Sequence, residues 1–205
     1  MSNKPALDRL ITGDASDASL LEEYQRTGRL AAFDEVFRRN KEPLLAFLLR
    51  LSAAEAVAQD VAQHVWLKVL ELAREGRYHA MPGAAFRTFL FTLARNRYFD
   101  EYHRRHEAVH GESLTEYLER EGDLPAGTEL EPSEIVGDEQ IQAKVIQALD
   151  ALPAEQREVI ALWLQGFALT EVADITGAAW HTVVSRKTYA IRKLKALLSA
   201  SCQEH

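Results

Sequence analysis

Apolar residues return every three or four positions along nearly the whole chain. In residues 31–51, Phe33, Val36, Phe37, Leu44, Leu45, Leu48 and Leu51 follow this spacing and predict an amphipathic helix. Ser52, with Glu55 three residues on, predicts a capping box that opens a second helix over 53–74. Val57, Val61, Val65 and Leu72 fall on its apolar stripe, and Gly76 stops it. "YHAMPGA" reads as a loop turning at Pro82-Gly83. Residues 85–106 then form a long helix with Phe86, Leu90, Leu93 and Phe99 near one face. Further on, Ile141, Val145, Ala148, Leu149 and Leu152 mark another amphipathic helix. Pro153 begins the next one, which Gly166 ends. Thr170 caps a short helix that stops at Gly177, "AAW" turns the chain, and a last helix runs over 181–199. Alternating β-branched runs are absent, so the predicted class is all-α. Phe89, Phe91, Phe99, Trp66 and Trp163 are expected to pack in the core.

Charge divides the chain in three. Residues 1–106 hold 16 Lys+Arg against 14 Asp+Glu, and residues 140–205 hold 7 against 6. Residues 107–139 hold one base, Arg120, against 11 acids, so the overall charge of −7 belongs to this middle segment. Its Gly, Pro and acid content predicts a flexible linker, with "LTEYLERE" long enough for a short amphipathic helix. The expected organisation is a tail at 1–19, a helical domain at 20–106, a linker at 107–138 and a second helical domain at 139–205. The single cysteine, Cys202, rules out a disulfide framework. The start, "MSNKPALDRLITGD", has no apolar core of signal-peptide length, and no run reaches the roughly 18 apolar residues of a membrane span. A cytoplasmic protein, monomeric when free and not inserted in a membrane, is expected.

The last helix carries the most specific chemistry. A helix, a short Gly-containing turn and a second helix form the helix-turn-helix pattern, whose second helix enters the major groove. With Val183, Ala190, Leu194 and Leu197 facing the core, the opposite face presents His181, Thr182, Ser185, Arg186, Tyr189, Arg192 and Lys193. Arg186 suits a bidentate contact to guanine, and Thr182 and Ser185 suit bases or phosphates. Arg192, Lys193 and Lys195 lie where phosphate contacts fix position without reading sequence.

These residues resemble a known family. "LDALPAEQREVIALWLQGFALTEVADITGAAWHTVVSRKTYAIRKLKALL" is similar to region 4 of the extracytoplasmic-function (ECF) sigma factors, above all in Leu-Pro-x-x-x-Arg and in Thr182–Arg186. "FDEVFRRNKEPLLAFLLRL" and "FRTFLFTLARNRYFDEYHRR" resemble their region 2, with "ARN" at 94–96 and Arg104-Arg105 as the strongest marks. The resemblance implies a region 2 bundle that binds the polymerase clamp and the unwound −10 element. It implies a region 4 helix-turn-helix that reads the −35 element and touches the polymerase flap. The partners implied are core RNA polymerase, promoter DNA and an anti-sigma factor; no cofactor or metal is implied. Phe86, Arg87, Thr88, Arg95 and Asn96 become candidates for the −10 strand, with Arg97, Arg104 and Arg105 on phosphates.

Two departures stand out. The polymerase-binding helix of the family opens with several acids; here the run is "VAQDVAQH", leaving Gln59, Asp60, Gln63 and His64 as candidate contacts and Val57, Gln59 and His64 where acids are usual. A weaker polymerase interface is expected, since each charge-assisted bond contributes about 1.5–3 kcal/mol. A Ser/Thr kinase placing phosphate on Ser52, at the expected helix N-cap, is one way to restore charge. In the last helix, Val184, Thr188, Tyr189 and Ile191 stand where the family is often basic or His, which implies an unusual promoter preference. His103, His106 and His110 lack an accompanying carboxylate motif and read as basic surface, not as metal ligands. With no nucleophile elbow and no phosphate loop, an enzyme is not expected. Two alternatives remain: a helix-turn-helix regulator that binds DNA without joining polymerase, and a sigma-like protein that has lost DNA binding.

Overall fold

The computed structural model describes residues 15–52, 54–79, 85–110 and 139–202, with the helical backbone alone described at 103–110, 139–144 and 200–202. The expected loop at 80–84, the tail through residue 14 and the expected short helix at 114–121 lie outside the described residues. So does most of the acidic linker, although its first residues, 107–110, continue a helix.

The chain is all-helical over the described residues. Helix α1 (Asp17–Thr27) was not evident from the hydrophobic pattern and begins inside the expected tail. Ser16 caps it by accepting from the Ser19 N–H at 3.2 Å. It buries Leu20, Leu21 and Tyr24. Helix α2 (Leu30–Leu51) runs through Pro43, a residue that costs about 3 kcal/mol in a helix interior, and is held by packing on several other helices. Helix α3 (Glu55–Arg74) buries Ala58, Val61, Val65, Val69 and Ala73. The expected capping box does not form: the N-cap is Ala54, and Ser52 is instead the C-cap of α2. The Ser52 hydroxyl accepts from the Ala54 N–H at 3.2 Å, a local turn bond that competes with capping.

Helix α4 (Phe86–His110) spans the body, with Leu90, Phe91, Ala94 and Tyr98 buried. Then come α5 (Glu139–Asp150), α6 (Ala154–Leu164), α7 (Leu169–Thr176) and α8 (Trp180–Cys202). Thr170 lies inside α7 and does not cap it; the N-cap is Ala168, whose N–H donates to Glu171 Oε2 at 2.8 Å. Trp180 belongs to the first turn of α8, one residue earlier than expected, and is exposed. Gly177 closes α7 at φ +69°, a left-handed conformation glycine adopts without steric cost, and so sets the turn into α8. Leu197, expected in the core stripe, is 37% exposed.

The two expected domains do not stand apart. Phe47, Leu48, Leu90 and Phe91 share one apolar cluster with Val159, Leu162, Phe167 and Ile175. Helix α2 packs on α6, and α4 on α7. A smaller cluster of Leu149, Leu152, Ile160 and Ala190 joins α5, α6 and α8. Arg157 reaches across, donating to the Leu51 carbonyl at 3.2 Å beside the Tyr98 hydroxyl, which donates to the same oxygen at 2.7 Å.

Candidate nucleic-acid interface

Three surfaces collect the candidate residues. The first is the outer face of α8, held by Val183 and Ala190, which are fully buried beneath it. His181, Ser185, Arg192 and Lys193 are exposed, and Thr182, Arg186 and Tyr189 are half-buried along the same helix. The Arg192 guanidinium lies 5.1 Å from the centre of the Tyr189 ring. Ser185 donates to the His181 carbonyl at 3.0 Å, leaving hydroxyl lone pairs outward. On the flank, Lys187 Nζ sits 4.4 Å over the ring of Trp163, which is half-buried and packs against the smaller apolar cluster. All seven residues predicted on this helix therefore occupy one accessible element.

The second surface is the row along α4. Asn96 is exposed, and its side-chain oxygen accepts from Arg95 at 3.2 Å. Thr88 is half-buried, and Arg97 pairs with Glu101 at 3.7 Å. Arg87 is fixed: its guanidinium lies 4.5 Å from the Phe167 ring and 5.4 Å from that of Phe91, and it donates to the Gln165 carbonyl at 2.6 Å. Burial in this slot pulls the Arg87 pKa down, because the cation loses hydration. Arg95 donates to Glu158 Oε1 at 2.6 Å and covers the Phe99 ring. Phe86 offers no stacking face here. Its ring is 3% exposed and packs against Tyr78 and Phe89 at the start of the helix. The side chains of Arg104 and Arg105, and of His103, His106 and His110, lie outside the described residues.

The third surface is an open groove of about 440 Å³ between α2 and α3. Phe33, Phe37 and Leu45 form one wall, and Trp66, Leu67 and Leu70 the other. Trp66, expected to pack in the core, packs half-buried against its edge; its ring meets that of Phe37, from the apolar stripe of α2, edge to face at 4.9 Å on the groove wall, and Phe37 is 38% exposed. Gln59 and Gln63 stand on the rim. Gln59 donates to Glu55 Oε1 at 2.8 Å, which brings to the site an acid the sequence reading had used only as a cap. His64 Nδ1 lies 2.8 Å from the Asp60 carbonyl and 3.4 Å from its carboxylate. The signal for this groove lay in the second apolar stripes of α2 and α3, which a core needing one stripe per helix leaves over. Ser52, by contrast, is buried at 8% exposure as the C-cap of α2, two residues before the α3 N-cap Ala54, and is not itself the N-cap that was expected.

Comparison with known proteins fits this arrangement. Residues 36–108 match the family model described as Sigma-70 region 2. The chain is 31% identical over 156 residues to the ECF RNA polymerase sigma factor EcfG of Rhodopseudomonas palustris, covering 76% of this chain and 78% of that protein. It is 31% identical over 176 residues to the ECF RNA polymerase sigma factor RpoE of Cereibacter sphaeroides, covering 82% and 87%. The sigma factor RpoE of Bartonella quintana, solved with the anti-sigma factor NepR, aligns with a TM-score of 0.61 at 25% identity over 82% of this chain and 96% of that one. An all-helical body ending in a cationic helix-turn-helix is the form of a DNA-binding transcription protein. The chain belongs to the ECF RNA polymerase sigma factors. These relatives are RNA polymerase sigma factors, and among the described residues no helix is long and apolar enough to cross a membrane.

Proposed function

We propose that this sigma factor grips one promoter at two places while docked on core RNA polymerase. Residues 139–205 act as region 4, with the α8 face in the major groove of the −35 element. Arg186 reads a base edge, and Arg192 and Lys193 hold phosphates. Residues 20–106 act as region 2. Asn96, Arg87, Thr88 and Arg95 meet the unwound −10 strand, with Arg97, Arg104 and Arg105 on its phosphates. The acidic stretch 107–138 threads toward the RNA exit path, where its charge stands in for nucleic acid. The observation that carries the reading is the α8 face, with its cationic and hydroxyl groups outward and a buried apolar stripe behind them.

The polymerase clamp takes the α2–α3 groove, where Gln59, Asp60, Gln63 and His64 line or flank the rim. Exposed Phe37 and Leu67 supply apolar contact in place of the missing acids. An anti-sigma factor is a further partner, by analogy with the Bartonella protein solved with one. A kinase acting on Ser52 has less support, since that residue is buried.

The test is transcription in vitro with core polymerase and genomic promoter fragments. Wild type initiates at a subset of promoters, and Arg186→Ala loses them while still co-eluting with polymerase. Failure of the wild-type chain both to co-elute with core enzyme and to shift any promoter fragment at low salt overturns the reading. Val57→Asp/Gln59→Glu tightens core binding if acids still matter at this surface. Equal affinity means the apolar groove suffices.

A further inference from the structure

The chain's three tryptophans are used differently. Trp66 packs against Phe33 and Phe37, and Trp163 lies under Lys187. Trp180, in the first turn of α8, is 56% exposed. Its chain neighbours leave it uncovered: Ala178 and Ala179 have single-carbon side chains, and His181 is itself exposed. The ring begins a row along the helix. Val184 stands four residues on and Thr188 four further, both half-buried. Thr188 gives its hydroxyl proton to the Val184 carbonyl at 2.9 Å, so that proton is spent on the helix itself. Lys187, beside the row, is held over the Trp163 ring. At 3.6 residues per turn the row lies on one side of the line through Ser185 and Arg192, and Arg186 lies on the other. Over its first turns, the face proposed for duplex DNA thus has a cationic edge and an apolar edge.

We propose that Trp180, Val184 and Thr188 read thymine in the −35 duplex, by apolar contact with its C5-methyl group. This rests on the reading of α8 as the −35 surface. A recognition helix brings its N-terminal residues to base edges, and the thymine methyl is the apolar group displayed in the major groove. Donors and acceptors cannot read a methyl; an aromatic ring or another methyl can. The indole N–H is left for a phosphate oxygen at the groove wall. Trp180 and Thr188 are about 12 Å apart along the helix axis, the length of about three to four stacked base pairs. The row therefore selects a short thymine-containing run, beside the base pair that Arg186 contacts. The two edges of one helix then divide the readout: guanine by hydrogen bonds, thymine by apolar contact.

The test uses holoenzyme assembled from core polymerase and the full chain, on a promoter duplex from which it initiates. Each thymine of the protected −35 segment is replaced in turn by deoxyuridine, which lacks only the methyl group, and affinity is read by competition. Wild type loses about threefold to fourfold at one or more of these positions. Trp180→Ala binds the thymine duplex as weakly as wild type binds the uracil one, and is indifferent to the methyl there. Trp180→Phe keeps part of the discrimination. Thr188→Ser, which removes a methyl and keeps the hydroxyl, becomes indifferent at a different thymine. Arg186→Ala weakens binding but leaves the uracil effect in place. If wild type responds at no thymine, or the segment holds none, while Arg186→Ala still weakens promoter binding, the methyl proposal is wrong and the −35 reading stands. The proposal also fails if Trp180→Ala keeps full discrimination and instead lowers co-elution with core polymerase, which places the ring against protein. If neither uracil nor Arg186→Ala changes binding, the −35 reading of α8 falls, and the proposal with it.

Discussion

On α8, the groups proposed for duplex DNA face solvent over a buried stripe; on α4, two of the groups proposed for the unwound strand are spent on the other half of the molecule. The difference follows from geometry. A recognition helix is an outer element whose far face nothing covers. Helix α4 crosses the middle of the body, packed on α2, α3 and α7, so its cations meet protein on one side and solvent on the other. The surface proposed for duplex DNA is thus exposed, while the one proposed for the unwound strand is partly engaged by the other half of the molecule.

The largest test of this contrast is Phe91→Ala. Phe91 is fully buried and touches Phe47 in its own half and Phe167 across the interface, at 5.1 Å and 4.9 Å between ring centres. Its loss costs about 3–5 kcal/mol in chemical denaturation, and a transition that splits in two would show the halves uncoupling. Next, Arg186→Ala weakens promoter-duplex binding by about 1–3 kcal/mol in a gel shift and relaxes sequence preference at one base pair. An equal loss on all sequences would move Arg186 to the phosphate-binding set.

Two carboxylates should respond to pH in opposite directions. Glu35, bonded to Arg38 and Arg39, is lowered from 4.5 to about 2. The stability it contributes is present above about pH 4.5 and is lost as pH falls toward 2; in Glu35→Gln the thermal unfolding curve loses that acid limb. Glu158 is raised, because burial outweighs the opposing pull of Arg95 and Arg186. The stability it contributes is accordingly present at low pH and lost as pH rises upward from the ordinary carboxylate range, and Glu158→Gln removes that limb from the thermal unfolding curve. The smallest effect is on salt dependence. Arg192→Ala and Lys193→Ala each reduce the slope of log affinity against log salt by about 1, with little change in promoter ranking.

The helix-turn-helix was legible because its signals are local. Gly166 and Gly177 both take positive φ where the sequence pattern ends a helix, and Val183 and Ala190 are buried as their spacing requires. Helix caps were less legible. Ser52 and Thr170 have the right chemistry for N-caps, but hydroxyls bond equally well to nearby turns, and the start of a helix is set by packing as much as by the cap. Aromatic residues were least legible. Phe86 and Phe37 carry the same apolar ring and the same helical spacing, yet one is buried and the other lines an open groove.

By itself, the sequence determined the helical class, the order of the later helices, the acidic middle segment and the cationic face of α8, because periodicity, glycine conformations and charge act over a few residues. Only the tertiary structure decided that Phe91 and Phe167 join the halves into one core, that a groove opens between α2 and α3, and that Arg87 and Arg95 are held by Gln165, Phe167 and Glu158. Those partners lie 63 to 80 positions away along the chain, and nothing in local spacing states which distant surfaces will meet.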